Sequence, residues 1–123
     1  TGAASGDYST GAASGWCSTG AASGRYSTGA ASGDYSTGAA SGDYSTGAAS
    51  GWCSAAEVSG KDSIAVANGA ISKARGALGC YLVLTEYGDE GKLLWAKMAQ
   101  VDGDIVKEMV WYTLKNGEFV EAN

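Results

Sequence analysis

The sequence predicts an all-β chain: a parallel β-solenoid (β-roll) of nine-residue repeats, two per coil, over residues 1–79, closed by a C-terminal antiparallel β cap over residues 80–123. Three observations predict it. The unit SGDYSTGAA from Ser5 recurs as SGWCSTGAA from Ser14, SGRYSTGAA from Ser23, and SGDYSTGAA from Ser32 and Ser41; the frame then survives in SGWCSAAEV, SGKDSIAVA and NGAISKARG, giving eight units. A fixed short period marks a stacked architecture in which each unit buries its apolar face against its neighbours. Small and branched residues alternate over Ser63, Ile64, Ala65, Val66 and Ala67, which is the period of a strand. At Cys80 the repeat stops and ordinary hairpin signals begin.

Two units make one coil because nine extended residues cover only about 30 Å of contour, too little for a perimeter that encloses side chains. Eight units then form four coils, a rod roughly 19 Å long at the spacing of stacked strands. Ser9 to Ala13 and its equivalents are the straight segments. The two glycines of each early unit are expected at corners that need φ > 0, with serine and threonine hydroxyls capping the backbone there. Of the alternation in the seventh unit, Ser63, Ala65 and Ala67 suit the narrow inside, so Ile64 and Val66 face out and form an expected oligomer interface. A flexible Gly/Ser linker does not account for the strict period, and proline-free glycine spacings of four and five exclude collagen.

The pair between the constant residues of each unit varies: Asp7-Tyr8, Trp16-Cys17, Arg25-Tyr26, Asp34-Tyr35, Asp43-Tyr44 and Trp52-Cys53. With two units per coil, Tyr8, Tyr26 and Tyr44 stack on one edge, and Trp16, Tyr35 and Trp52 on the other. Such ladders either stabilise stacked coils, at about 0.5 to 1.5 kcal/mol per pair, or bind the flat faces of sugars. These six aromatics are the candidate binding residues.

In the tail, Tyr81 to Tyr87 and Lys92 to Val101 read as strands around a Gly88–Gly91 turn. Ile105 to Leu114 follows the Asp102-Gly103 turn, and Asn116-Gly117 leads into a return strand, Glu118 to Glu121. This cap covers the open end of the rod. Its acidic residues Glu86, Asp89, Glu90, Asp102, Asp104 and Glu108 fall mainly at turns and strand ends, as solvated groups.

The net charge of −5, four of it beyond Cys80, and the lack of a basic stripe argue against nucleic acid as a partner. No stretch approaches eighteen apolar residues, so no membrane span is expected. The chain begins in mid-unit without methionine, as a processed product or a fragment of a longer array would. Cys17 and Cys53 lie four units apart, beyond the ~7 Å limit for a disulfide within one chain; a Cys53–Cys80 bridge and interchain bridges stay open, beside the reading of three small, semi-buried thiols. Without histidine there is no base to activate a serine, and the three cysteines lie far apart, so no catalytic residue, metal or cofactor is expected.

SGKDSIAVANGAISKARGALG, Ser59 to Gly79, resembles the head repeats of YadA-like trimeric autotransporter adhesins, and similar repeats occur in bacteriophage tail fibres. The resemblance implies a parallel β-roll, a homotrimer and an extracellular, cell-surface or virion fibre that contacts host surfaces. The family's repeat is longer, and its stalk and anchor are not in this sequence. Calcium-bound nonapeptide rolls fit poorly, since Trp16, Arg25 and Trp52 stand where ligands would be needed. An ice-binding ladder of Thr10, Thr19, Thr28, Thr37 and Thr46 is weaker than those hydroxyls capping turns. The expected function is a non-enzymatic surface fibre or adhesin segment contacting host or matrix, with a glycan as possible ligand; the alternative is a self-assembling structural rod.

Overall fold

Each unit divides into a short strand and a four-residue turn, and successive units lie on opposite sides of a flattened coil. The computed structural model describes residues 2–122, so Thr1 and Asn123 of the expected domains lie outside the described residues. The strands are β1 (Gly2–Ala4), β2 (Thr10–Ser14), β3 (Thr19–Ala22), β4 (Thr28–Ser32), β5 (Thr37–Ala40), β6 (Thr46–Ser50), β7 (Ala55–Val58), β8 (Ile64–Asn68), β9 (Lys73–Gly76), β10 (Tyr81–Tyr87), β11 (Leu93–Gln100), β12 (Tyr112–Lys115) and β13 (Glu118–Glu121). Odd-numbered strands build one sheet in the order β1-β3-β5-β7-β9-β12-β13, and the other runs β11-β10-β8-β6-β4-β2. All pairs through β10 are parallel and join equivalent residues of alternate units, as in Thr28↔Thr46 and Thr46↔Ile64. The parallel solenoid of two units per coil is therefore the fold.

Inside, the coil is narrower than sequence reasoning assumed. The glycine of each Thr-Gly-Ala-Ala segment is not at a corner but in mid-strand, facing the opposite sheet. A Cβ on Gly38 would lie 1.8 Å from the Ala48 carbonyl oxygen, so the glycine is required by close approach of backbone to backbone and not by positive φ. The interior widens toward the cap. In the register of one sheet the inward column runs Gly20, Gly38, Ala56, Ala74, and in the other Gly29, Gly47, Ala65, Leu82. Beside it Ala49, Ala67 and Leu84 follow one another. The fully buried Leu82 and Leu84, with Val58, Val101, Val106, Tyr112 and Leu114, form the thickest part of the core, each large side chain contributing roughly 1.5 to 3 kcal/mol.

Serine, not threonine, ties coil to coil. Ser45 Oγ donates to the Gly24 carbonyl at 3.1 Å and accepts the Ser27 N–H at 3.0 Å; Ser27, Ser36, Ser54, Ser63 and Ser72 are likewise buried and donate to a glycine carbonyl of the preceding coil. Where β10 replaces this serine by Cys80, the thiol donates to the Gly60 carbonyl at 3.1 Å. Every buried side-chain polar atom among the described residues has a partner. The threonines expected to cap turns instead open the strands and point outward, because the alternation that turns serine and glycine inward turns threonine out.

The coil frame runs past Gly79, since β10 pairs parallel with β8 and begins a fifth turn. Antiparallel pairing starts only beyond it, with β11 on β10 and β12 on β9, so each sheet ends in a hairpin strand. The expected strand from Ile105 to Leu114 is reduced to its end, β12. Asp102 accepts the N–H groups of Asp104 (2.9 Å) and Val106 (3.1 Å), and Met109 has φ 53°, so this stretch winds as turns.

Candidate functional site

The turns place every variable pair on one of the two narrow edges. The second residue of each pair is left-handed, with φ between 55° and 62° at Tyr8, Cys17, Tyr26, Tyr35, Tyr44 and Cys53. A non-glycine residue there costs of order 1 to 3 kcal/mol and persists only where the surroundings over-determine it. Here the surroundings do: Tyr8 N–H donates to the Arg25 carbonyl, Tyr26 N–H to Asp43 and Tyr44 N–H to Lys61, at 2.8 to 3.0 Å. The aspartates add a rung that sequence reasoning missed. Asp7, Asp34 and Asp43 accept through Oδ1 the N–H of Arg25, Trp52 and Lys61 at 2.9 to 3.0 Å. Their recurrence at one place in the unit was the available signal.

The two edges differ in how their rings meet. Tyr8, Tyr26 and Tyr44 stack at centroid distances of 5.2 and 5.3 Å with nearly parallel planes. On the other edge, Trp16 meets Tyr35 at 5.7 Å and Tyr35 meets Trp52 at 5.4 Å, both close to perpendicular. A perpendicular contact covers one ring face where a stacked contact covers two. Exposure does not separate the two edges, since Trp16 (72%) and Trp52 (44%) match Tyr8 (77%) and Tyr44 (45%); the difference is that the tryptophan edge carries the larger indole faces and its rings meet edge to face.

Beside Trp52 the chain forms a groove of about 590 Å³ lined by Trp52, Asn68, Tyr87 and Asp89 and the glycines between them. Thr85 Oγ1 and Tyr87 Oη both donate to Asn68 Oδ1, at 3.2 and 2.8 Å, which orients the Asn68 amide and leaves its N–H groups as donors. Asn68 and Tyr87 were not singled out as site residues in the sequence, and Asp89 was read there only as a solvated turn group, all three being far from Trp52 along the chain.

Ile64 and Val66 lie on the outer face of their sheet, Ile64 39% exposed. In register with them stand Thr46 and Tyr81, and Ala48, Val83 and Met98. The outward ranks from β2 to β11 that contain these residues carry no ionisable acid or base, apart from the tyrosine phenol. The opposite sheet is different: Arg75 pairs with Glu57, and Trp111 lies under Arg75 (4.4 Å) and Lys73 (4.7 Å).

The three cysteines are free, Cys17 exposed, Cys53 half-buried and only Cys80 buried, so they are not uniformly semi-buried. Among the described residues no group of three or more His, Cys, Asp or Glu is placed to hold a metal ion, and no helix is long and apolar enough to cross a membrane. The acidic residues of the cap are dispersed. Glu86, expected as a solvated group, instead clamps the hairpin turn by accepting the N–H of Asn116 (2.9 Å) and Gly117 (3.0 Å). Backbone bonds from Asp104 and then Val106 hold the Asp102 carboxyl below its ordinary pKa. No family model, curated protein or solved structure matches the chain.

Proposed function

We propose that this chain is a non-enzymatic segment of an extracellular surface fibre or adhesin, a trimeric rod of the kind the adhesin head repeats suggest, that contacts host or matrix surfaces. The observation that carries the reading is the uncharged outer face of the β2 to β11 sheet. Its apolar content rises toward the cap, from alanine in β2, β4 and β6 to Val66, Val83 and the 62% exposed Met98, and exposed apolar surface of this extent favours association. The opposite face, with its ion pair and cationic groups over Trp111, stays hydrated and suits contact with solvent or a ligand. Absence of histidine from the sequence supports a role without acid-base catalysis.

Light-scattering mass of the parent and of an Ile64→Asp, Val66→Asp double variant tests the assembly. The parent is expected at three chains and the variant at one, since carboxylates forced into a desolvated axis lack partners. A folded parent of single-chain mass refutes the trimer. Binding to a panel of glycans and matrix proteins tests the contact role, and silence across the whole panel favours the second reading, a self-assembling rod, which the self-stacked tyrosine edge also supports.

A further inference from the structure

We propose that the groove between Trp52 and the Gly88–Gly91 turn binds a pyranose unit of a neutral glycan, with Trp16 as a second platform for longer chains. The inference rests on the contact role above and names its ligand class and its site. A sugar ring needs a flat apolar face to cover its C–H side and donors and acceptors at its rim. Trp52 supplies the face, half exposed and at the cap end of its aromatic column, beyond the perpendicular contact with Tyr35. The rim is polar on the far side: the Asn68 amide, held by Tyr87 and Thr85, offers N–H donors, and the exposed Asp89 carboxylate offers acceptors. Trp16 occupies the same place in its unit two coils away, roughly 10 Å along the rod, about the length of a disaccharide in an extended chain. Asp34 stands between the two tryptophans in the same column. With Asp34, Asp89 and Glu90 near the path and a net charge of −5, an acidic glycan is repelled. On the tyrosine edge the rings stack face to face, so that the middle ring, Tyr26, has both faces covered.

The test is affinity electrophoresis and calorimetry with hydroxyethyl cellulose, soluble xylan and glycogen as neutral probes, alginate as the acidic one and polylysine as a cationic competitor. At least one neutral polymer is expected to bind and to shift tryptophan fluorescence. Trp52→Ala should lose about tenfold in affinity, the loss of one ring contact. Asp89→Ala, on an exposed turn where folding is not at stake, should lose severalfold, and Trp16→Ala should weaken polymer binding but not binding of the matching disaccharide. Ile105→Gln, on the exposed surface of the cap, is the control and should bind as the parent does. Neutral binding that survives both Trp52→Ala and Asp89→Ala overturns the site, as does preference for alginate. If the chain binds matrix proteins and none of the neutral polymers, the glycan site falls while the contact role stands.

Discussion

Replacing Gly38 with alanine tests the width of the coil, the feature on which the rest of the rod depends. The added methyl would stand 1.8 Å from the Ala48 carbonyl oxygen, 2.6 Å from its carbon and 3.0 Å from its nitrogen. All three are backbone atoms of the facing strand, which cannot rotate away as a side chain can. Relief requires the two sheets to part by more than an ångström, and this breaks the packing of Ala40 and Ala49, which are 3% exposed. Overpacking of this kind costs typically 1 to 3 kcal/mol, and backbone on the receiving side places Gly38→Ala near about 3 kcal/mol. At this chain length that is a fall in Tm of roughly 10 °C. Ala56 lies one coil nearer the cap in the same column, where the interior already accepts a methyl. There the reverse change, Ala56→Gly, removes a buried methyl and adds backbone freedom, for about 1 to 2 kcal/mol. Thermal and urea unfolding followed by circular dichroism measures both. If Gly38→Ala melts with the parent, the sheets are farther apart than described and the account of the narrow interior is wrong.

Ser45→Ala should destabilise the rod by about 3 kcal/mol, because the Gly24 carbonyl and the Ser27 N–H lose their shared partner in a dry interior; the outward Thr46→Ala should stay within about 0.5 kcal/mol, and equal melting of the two variants in urea would contradict the serine ladder. Asp102 carries the pH dependence of its turn. Its lowered pKa means that the carboxylate stabilises the fold above the unfolded value of about 3.9, and that this contribution is lost as pH falls through the lower folded value. The amide shift of Val106 should titrate below the free-aspartate range and lose that step in Asp102→Asn; a midpoint at or above that range would remove the hydrogen bonds from the explanation.

Periodicity is a local property, and what it encodes was legible directly. The nine-residue frame, with the perimeter a coil needs, specified two units per turn and therefore which units stack. The alternation of Ser63 to Ala67 specified which side chains face inward, and Ala65 and Ala67 are fully buried with Ile64 outside. Asn116-Gly117 marked the last hairpin. Distances between segments remote in sequence were not legible. Glycine signals either a corner of positive φ or a close approach: Gly15, Gly33 and Gly51 are the first, as expected, only the separation of the two sheets made Gly38 the second, and the left-handed position two residues on fell to Cys17, Tyr44 and their equivalents, which no propensity favours. The serines and aspartates were ambiguous for the same reason, since their partners sit a coil away. The groove brings Trp52 together with Asn68, Tyr87 and Asp89 because β10 runs straight on to Tyr87 and into the Gly88–Gly91 turn instead of rounding the corner as the earlier units do, and that meeting is decided by tertiary packing, because no period in the sequence extends across it.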